Sequence, residues 1–114
     1  MTPVVTLYHD STVTITTDYV VVSGATRVLS RRVRIPLSDI VAFRYRADAA
    51  YPHGRVPQQG LSDDDVWFTR DSRRWRRKDA IEIVLNTGKA YGFTPAHATR
   101  VAEIFEKQGV SRSQ

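Results

Sequence analysis

Between Asp79 and Gly109, in the stretch DAIEIVLNTGKAYGFTPAHATRVAEIFEKQG, the hydrophobic period changes from two to 3.6, and this switch restricts the fold more than any other feature. Ile81, Ile83 and Leu85 alternate with polar or smaller residues. Asn86-Thr87-Gly88-Lys89 then supplies turn chemistry with Gly88 free to take positive φ, and Tyr91 and Phe93 resume the alternation. The pattern predicts a β-hairpin. After it, Thr94 has the chemistry of an N-cap and Pro95 suits the first helical position. Ala98, Val101, Ala102 and Phe105 fall at i, i+3, i+4 and i+7, Lys107 favours the last turn, and Gly109 ends it. The spacing predicts a helix over 95–108, and a helix with one apolar stripe needs a sheet to cover.

The upstream chain reads as that sheet. Val4 to Tyr8 (VVTLY) is a β-rich run, and the polar turn His9-Asp10-Ser11 leads into Thr12 to Thr16 (TVTIT), where Val13 and Ile15 alternate with threonines. Tyr19 to Ser23 (YVVVS) has the consecutive valines of a strand buried on both faces or closing a barrel. Thr26 to Leu37 carries Val28, Val33 and Ile35 among basic residues. It ends at Pro36, which donates no ladder hydrogen bond and therefore suits a strand end or sheet edge. Leu37-Ser38-Asp39 is a compact turn into Ile40 to Arg46 (IVAFRYR), with Arg44 and Arg46 facing away from Phe43 and Tyr45. Residues 47–65, punctuated by Pro52, Gly54, Pro57 and Gly60, read as a long loop, and Val66 to Thr69 is a short strand. Seven or eight short strands followed by one helix make a single domain over 1–114.

Composition narrows the function classes. With no cysteine there are no disulfides or thiolate metal sites, which is compatible with the cytoplasm and equally with export. The N-terminus lacks a basic segment followed by an apolar one, and no apolar run approaches the roughly 20 residues of a membrane span, so a soluble chain is expected. The net charge of +5 comes mainly from arginine, clustered at Arg27 to Arg34, Arg44 to Arg46 and Arg70 to Lys78. Such clusters either favour anionic partners or simply solvate a surface.

Catalytic and metal chemistry find little support. His9, His53 and His97 are isolated, and Asp63-Asp64-Asp65 lacks the alternating donors of a calcium loop. Ser62 and Ser72 have no visible His and Asp partners, and the glycines form no phosphate loop. Neither a cofactor nor a catalytic residue is expected. One segment stands out: Arg70, Arg73, Arg74, Trp75, Arg76, Arg77 and Lys78 interleave an indole with phosphate-pairing forks. It reads as a binding surface for lipid headgroups or stacked bases, or as a strand with Trp75 inward and arginines outward. Arg27, Arg31, Arg32 and Arg34 form a secondary basic cluster.

The run Thr17-Asp18-Tyr19-Val20-Val21-Val22-Ser23-Gly24, then Arg31-Arg32-Val33-Arg34-Ile35-Pro36-Leu37-Ser38-Asp39-Ile40, resembles the bacterial pleckstrin-homology-like (PH-like) domains. Those carry a strand, a glycine, a basic stretch and an Ile-Pro-Leu-x-x-Ile step. Gly92-Phe93-Thr94-Pro95 into an Ala-rich helix also fits, so the likeness in organisation covers Thr12 to Gln108. The resemblance implies a mainly β fold, with two near-orthogonal antiparallel sheets forming a barrel capped by a C-terminal helix, and a non-catalytic module. It implies no phosphoinositide site, because the turns Asp10-Ser11 and Thr17-Asp18 are acidic where such a site is basic. The expected function is therefore a non-enzymatic binding or scaffolding module, cytoplasmic or peripheral at a membrane, that engages a protein partner or an anionic membrane surface. The alternative is a nucleic-acid-binding module using 70–78. Exposed edge strands and a strand-forming N-terminus add the expectation of a homo-oligomer.

Overall fold

The computed structural model describes residues 3–22, 32–46, 60–61, 66–68 and 79–113, with 60–61 and 66–68 described by their backbone alone. Threonine and valine alternation gives β1 (Thr6–His9), β2 (Val13–Thr16), β3 (Tyr19–Val22) and β4 (Val33–Pro36), an antiparallel sheet in sequence order. Pro36 sits last on the sheet's outermost strand, where its missing N–H costs no ladder bond. A single 3₁₀ turn, Leu37–Asp39, carries the chain into β5 (Ile40–Arg46). The second sheet joins β5 to β6 (Gly60–Leu61), β7 (Val66–Phe68), β8 (Ala80–Leu85), β9 (Ala90–Phe93) and a last strand, β10 (Ser111–Ser113), in the order β10-β5-β8-β9-β7-β6. Between β9 and β10 lies the helix α1 (Ala98–Lys107).

The predicted mainly β chain with one C-terminal helix is what the structure shows, with two amendments. The second sheet is mixed, because β10 runs parallel to β5 and β7 parallel to β9. The two sheets are also separate ladders among the described residues, so no barrel closure is seen there. The stretch 47–65, read as loop throughout, contributes Gly60–Leu61 as a strand paired with Leu61 opposite Trp67. The consecutive valines of β3 do not mark burial on both faces. Val20 and Val22 are buried while Val21 is half-buried, because only one face of this sheet meets the core.

That core is one cluster. Val13, Ile15, Val20, Val22 and Ile35 come from the first sheet, Ile40, Phe43, Ile81, Ile83 and Phe93 from the second, and Ala98, Val101, Ala102, Ile104 and Phe105 from α1. Phe43 and Phe105 meet as tilted rings with centroids 5.4 Å apart. The hairpin β8–β9 closes as its turn residues dictate, with Gly88 at φ 89° and the Leu85 N–H donating to the Lys89 carbonyl at 2.8 Å.

The helix begins later than its sequence signals indicate. Thr94 is not the N-cap and Pro95 is not the first helical residue; both are buried ahead of α1, whose N-cap is His97 with no side-chain cap bond. The cause is a tertiary tether. The Ala96 N–H donates to Asp10 Oδ2 at 2.9 Å and the His97 N–H to the Tyr8 hydroxyl at 3.2 Å, so the segment before α1 is bonded to the β1–β2 turn. At the other end Gly109, at φ 84°, allows the Val110 N–H to reach the Phe105 carbonyl at 2.9 Å and its own N–H to reach Glu106. Val110 is thereby buried beside Phe105, and the chain is aimed along β5 to form β10.

Candidate functional site

On β5 the residues alternate, so Phe43 enters the core while Arg44 and Arg46 rise from the opposite face of the sheet. The register sets Arg44 opposite Glu82 on β8 and Arg46 opposite Ala80. Glu82 is 0% exposed, and both guanidiniums converge on its Oε1, Arg46 Nε at 2.9 Å and Arg44 Nε at 3.1 Å. The two contacts differ. Arg46 donates a hydrogen bond, whereas the buried Arg44 Nε–H is not aimed at an acceptor. Around them the same face carries Ala42, Ala80, Val84, Ala90 and Gly92, small side chains that leave the arginine stems room to lie over the carboxylate. Among the described residues, two guanidiniums thus meet on one carboxylate.

The alternation that identifies Ile81 and Ile83 as core puts Glu82 on the other face and gives no sign that it is buried. Its burial was not legible from period alone. A usable signal existed in the pair of alternate arginines on IVAFRYR, since two like charges on one strand face are eased by a carboxylate on the next strand.

Of the basic residues singled out in the sequence, Arg70, Arg73, Arg74, Trp75, Arg76, Arg77, Lys78, Arg27 and Arg31 lie outside the described residues. Arg32 and Arg34 are exposed on or beside β4. The Arg34 guanidinium lies over the Tyr19 ring, 3.7 Å from its centroid, on the outer face of the first sheet. This position is on the other sheet from Arg44 and Arg46, so the basic strand residues of β4 and β5 form two groups rather than one.

The acidic turn has a structural use. Asp10 Oδ1 accepts from the Thr12 N–H and hydroxyl, each at 2.7 Å, and Oδ2 accepts from the Tyr8 hydroxyl and the Ala96 N–H. Burial raises the Asp10 pKa, but these hydrogen bonds outweigh it and hold the carboxyl below its ordinary value. A carboxyl depressed on folding contributes stability that is present above its unfolded pKa, about 3.9, and is lost as pH falls from there through the folded value. Asp10→Asn should therefore cost about 1–3 kcal/mol at neutral pH. The difference from wild type should shrink in chemical denaturation below pH 4, where the wild-type carboxylate also takes a proton.

A polar cleft runs between α1, β5 and β10, lined by Tyr45, Thr99, Ala102, Glu103, Glu106 and Arg112. The Tyr45 hydroxyl donates to Asp79, and burial together with that carboxylate raises its pKa. Arg112 pairs with Glu106 at 3.4 Å and lies 5.4 Å from the Tyr45 ring centroid. These contacts pin β10 against the body of the domain. Among the described residues no group of His, Asp and Glu has the disposition to hold a metal ion, and no helix is long and apolar enough to cross a membrane. His9 is engaged with Thr14 Oγ1 at 2.7 Å. Asp63-Asp64-Asp65 and His53 lie outside the described residues. Comparison with protein-family models, curated proteins and solved structures finds no match to this chain.

Proposed function

We propose that the chain is a non-enzymatic, PH-like binding module, cytoplasmic and peripheral, that docks on the anionic surface of a membrane. The observation that carries this reading is the pair of partly exposed guanidiniums, Arg44 and Arg46, that meet at Glu82 on the face of the second sheet turned away from the core. Arg46 pairs with Ala80, and the basic run Arg70 to Lys78 stands immediately before Asp79 and Ala80 in the chain. Each basic residue near an acidic bilayer contributes about 1 kcal/mol of attraction. Replacing Arg73, Arg74, Arg76 and Arg77 with Gln should therefore abolish co-sedimentation with acidic vesicles at physiological salt while leaving the denaturation midpoint nearly unchanged. Co-sedimentation that survives the fourfold change moves the contact away from 70–78.

A second reading has its own observation. β1 is the outermost strand of the first sheet, and Val4 and Val5, which lead into it, are 48% and 50% exposed. An extended segment of a protein partner, or of a second copy in a homo-oligomer, can add to such an edge through main-chain hydrogen bonds. Docking of that kind depends far less on salt than docking on charge.

A further inference from the structure

We propose that Arg44 and Arg46, held side by side by the buried Glu82, form a receptor for a phosphate group. The inference rests on the anionic-surface reading and names the ligand class that the surface presents.

Both arginines are anchored through Nε, the inner nitrogen of the guanidinium, to one carboxylate oxygen. The terminal amino groups lie farther along each side chain. The hydrogen bond from the pair to Glu82 is made through Nε of Arg46, and the two side chains are 23% and 24% exposed. Two residues apart on one strand, they project from the same face roughly 7 Å from each other at the backbone. Convergence of both Nε atoms on Oε1 draws the planar forks closer than that spacing.

Arg44 makes the stronger case. Its buried Nε–H lies near Glu82 without being aimed at an acceptor, so its hydrogen-bonding capacity is unspent in a setting where an unsatisfied donor is costly. Arg46 alone already supplies the hydrogen-bonded counter-charge for the carboxylate. The second guanidinium is thus in excess of what burying Glu82 requires. A dianionic tetrahedral oxyanion matches this arrangement better than a carboxylate does, because it offers several acceptor oxygens to two forks at once. The small residues Ala42, Ala80 and Gly92 flank the pair on that face, and none adds a competing carboxylate. The phosphate could belong to a lipid headgroup or be free in solution; the chemistry is the same.

The test uses the full chain, with inorganic phosphate as probe for the free form and vesicles of phosphatidic acid in phosphatidylcholine for the lipid form. Side-chain Nε–H resonances are followed during phosphate titration against chloride at equal ionic strength. Vesicle pelleting is compared with phosphatidylserine vesicles of equal charge. Wild type should show saturable shifts at Arg44 with phosphate and not with chloride. Arg44→Gln, which leaves Arg46 on Glu82, should weaken phosphate binding at least about tenfold, and Arg44→Lys, which keeps the charge but not the fork, should not restore it. Preference for phosphatidic acid that is lost in Arg44→Gln identifies a headgroup site, and phosphate binding without that preference identifies a free-phosphate site. Equal shifts in phosphate and chloride overturn the proposal, as does phosphate binding unchanged in Arg44→Gln. If wild type still pellets on acidic vesicles in that event, the surface reading stands and only the receptor falls.

Discussion

Phe105→Ala should lower the unfolding free energy by about 3–5 kcal/mol, the range for truncating a large buried aromatic. Phe105 is fully buried, packs at a tilt on Phe43 of β5, and its carbonyl accepts from the Val110 N–H in the turn that sends the chain into β10. Truncation leaves a cavity bounded by α1 and the second sheet, elements too regular to collapse into it without shifting the helix. Val110 loses its packing partner at the same time. Chemical denaturation reads the change directly. A midpoint within experimental error of wild type would mean that α1 does not hold the core together.

A loss of similar size is expected for the double change Arg44→Ala and Arg46→Ala. It removes two cationic partners from a carboxylate that is 0% exposed, and breaking a buried ion pair by removing one side costs about 3–5 kcal/mol. Each arginine alone is partly exposed, so its own charge is screened and single substitutions should cost much less. Adding Glu82→Leu to the double variant should recover most of the loss, since an apolar residue on this face of small side chains has no charge to desolvate. The non-additivity across this cycle separates a coupled cluster from three independent surface residues. If the triple variant is no more stable than the double, the carboxylate is not the source of the cost.

How far the sequence alone reaches depends on the kind of signal. Period and turn chemistry are local, and they identify the β8–β9 hairpin, the buried face Ala98, Val101, Ala102 and Phe105, the stop at Gly109 and the strand-end position of Pro36. Where tertiary bonds compete with local preference, the local reading fails. Thr94-Pro95 has good helix-start chemistry, yet the amides that follow are bonded to Asp10 and Tyr8 some 86 and 89 residues earlier. No sequence pattern announces that tether. The strand β10 was invisible for another reason: Ser111-Arg112-Ser113 is wholly exposed and pairs along one edge, so it has no hydrophobic period to read. Glu82 combines both difficulties, being a polar residue between core positions of the alternation that is nevertheless buried, with two arginines of the neighbouring strand meeting it. The Arg44 to Arg46 charge cluster was visible, but not that it converges on one carboxylate.

Recognition of an anionic surface is the central claim, and wild-type co-sedimentation across a salt series tests it most directly. Acidic and neutral vesicles are compared from low to physiological salt and above. The account predicts that the chain pellets with acidic vesicles only, and that the bound fraction falls as salt screens the arginines over a Debye length of about 8–10 Å. Wild type remaining in the supernatant with both kinds of vesicle at low salt would contradict it.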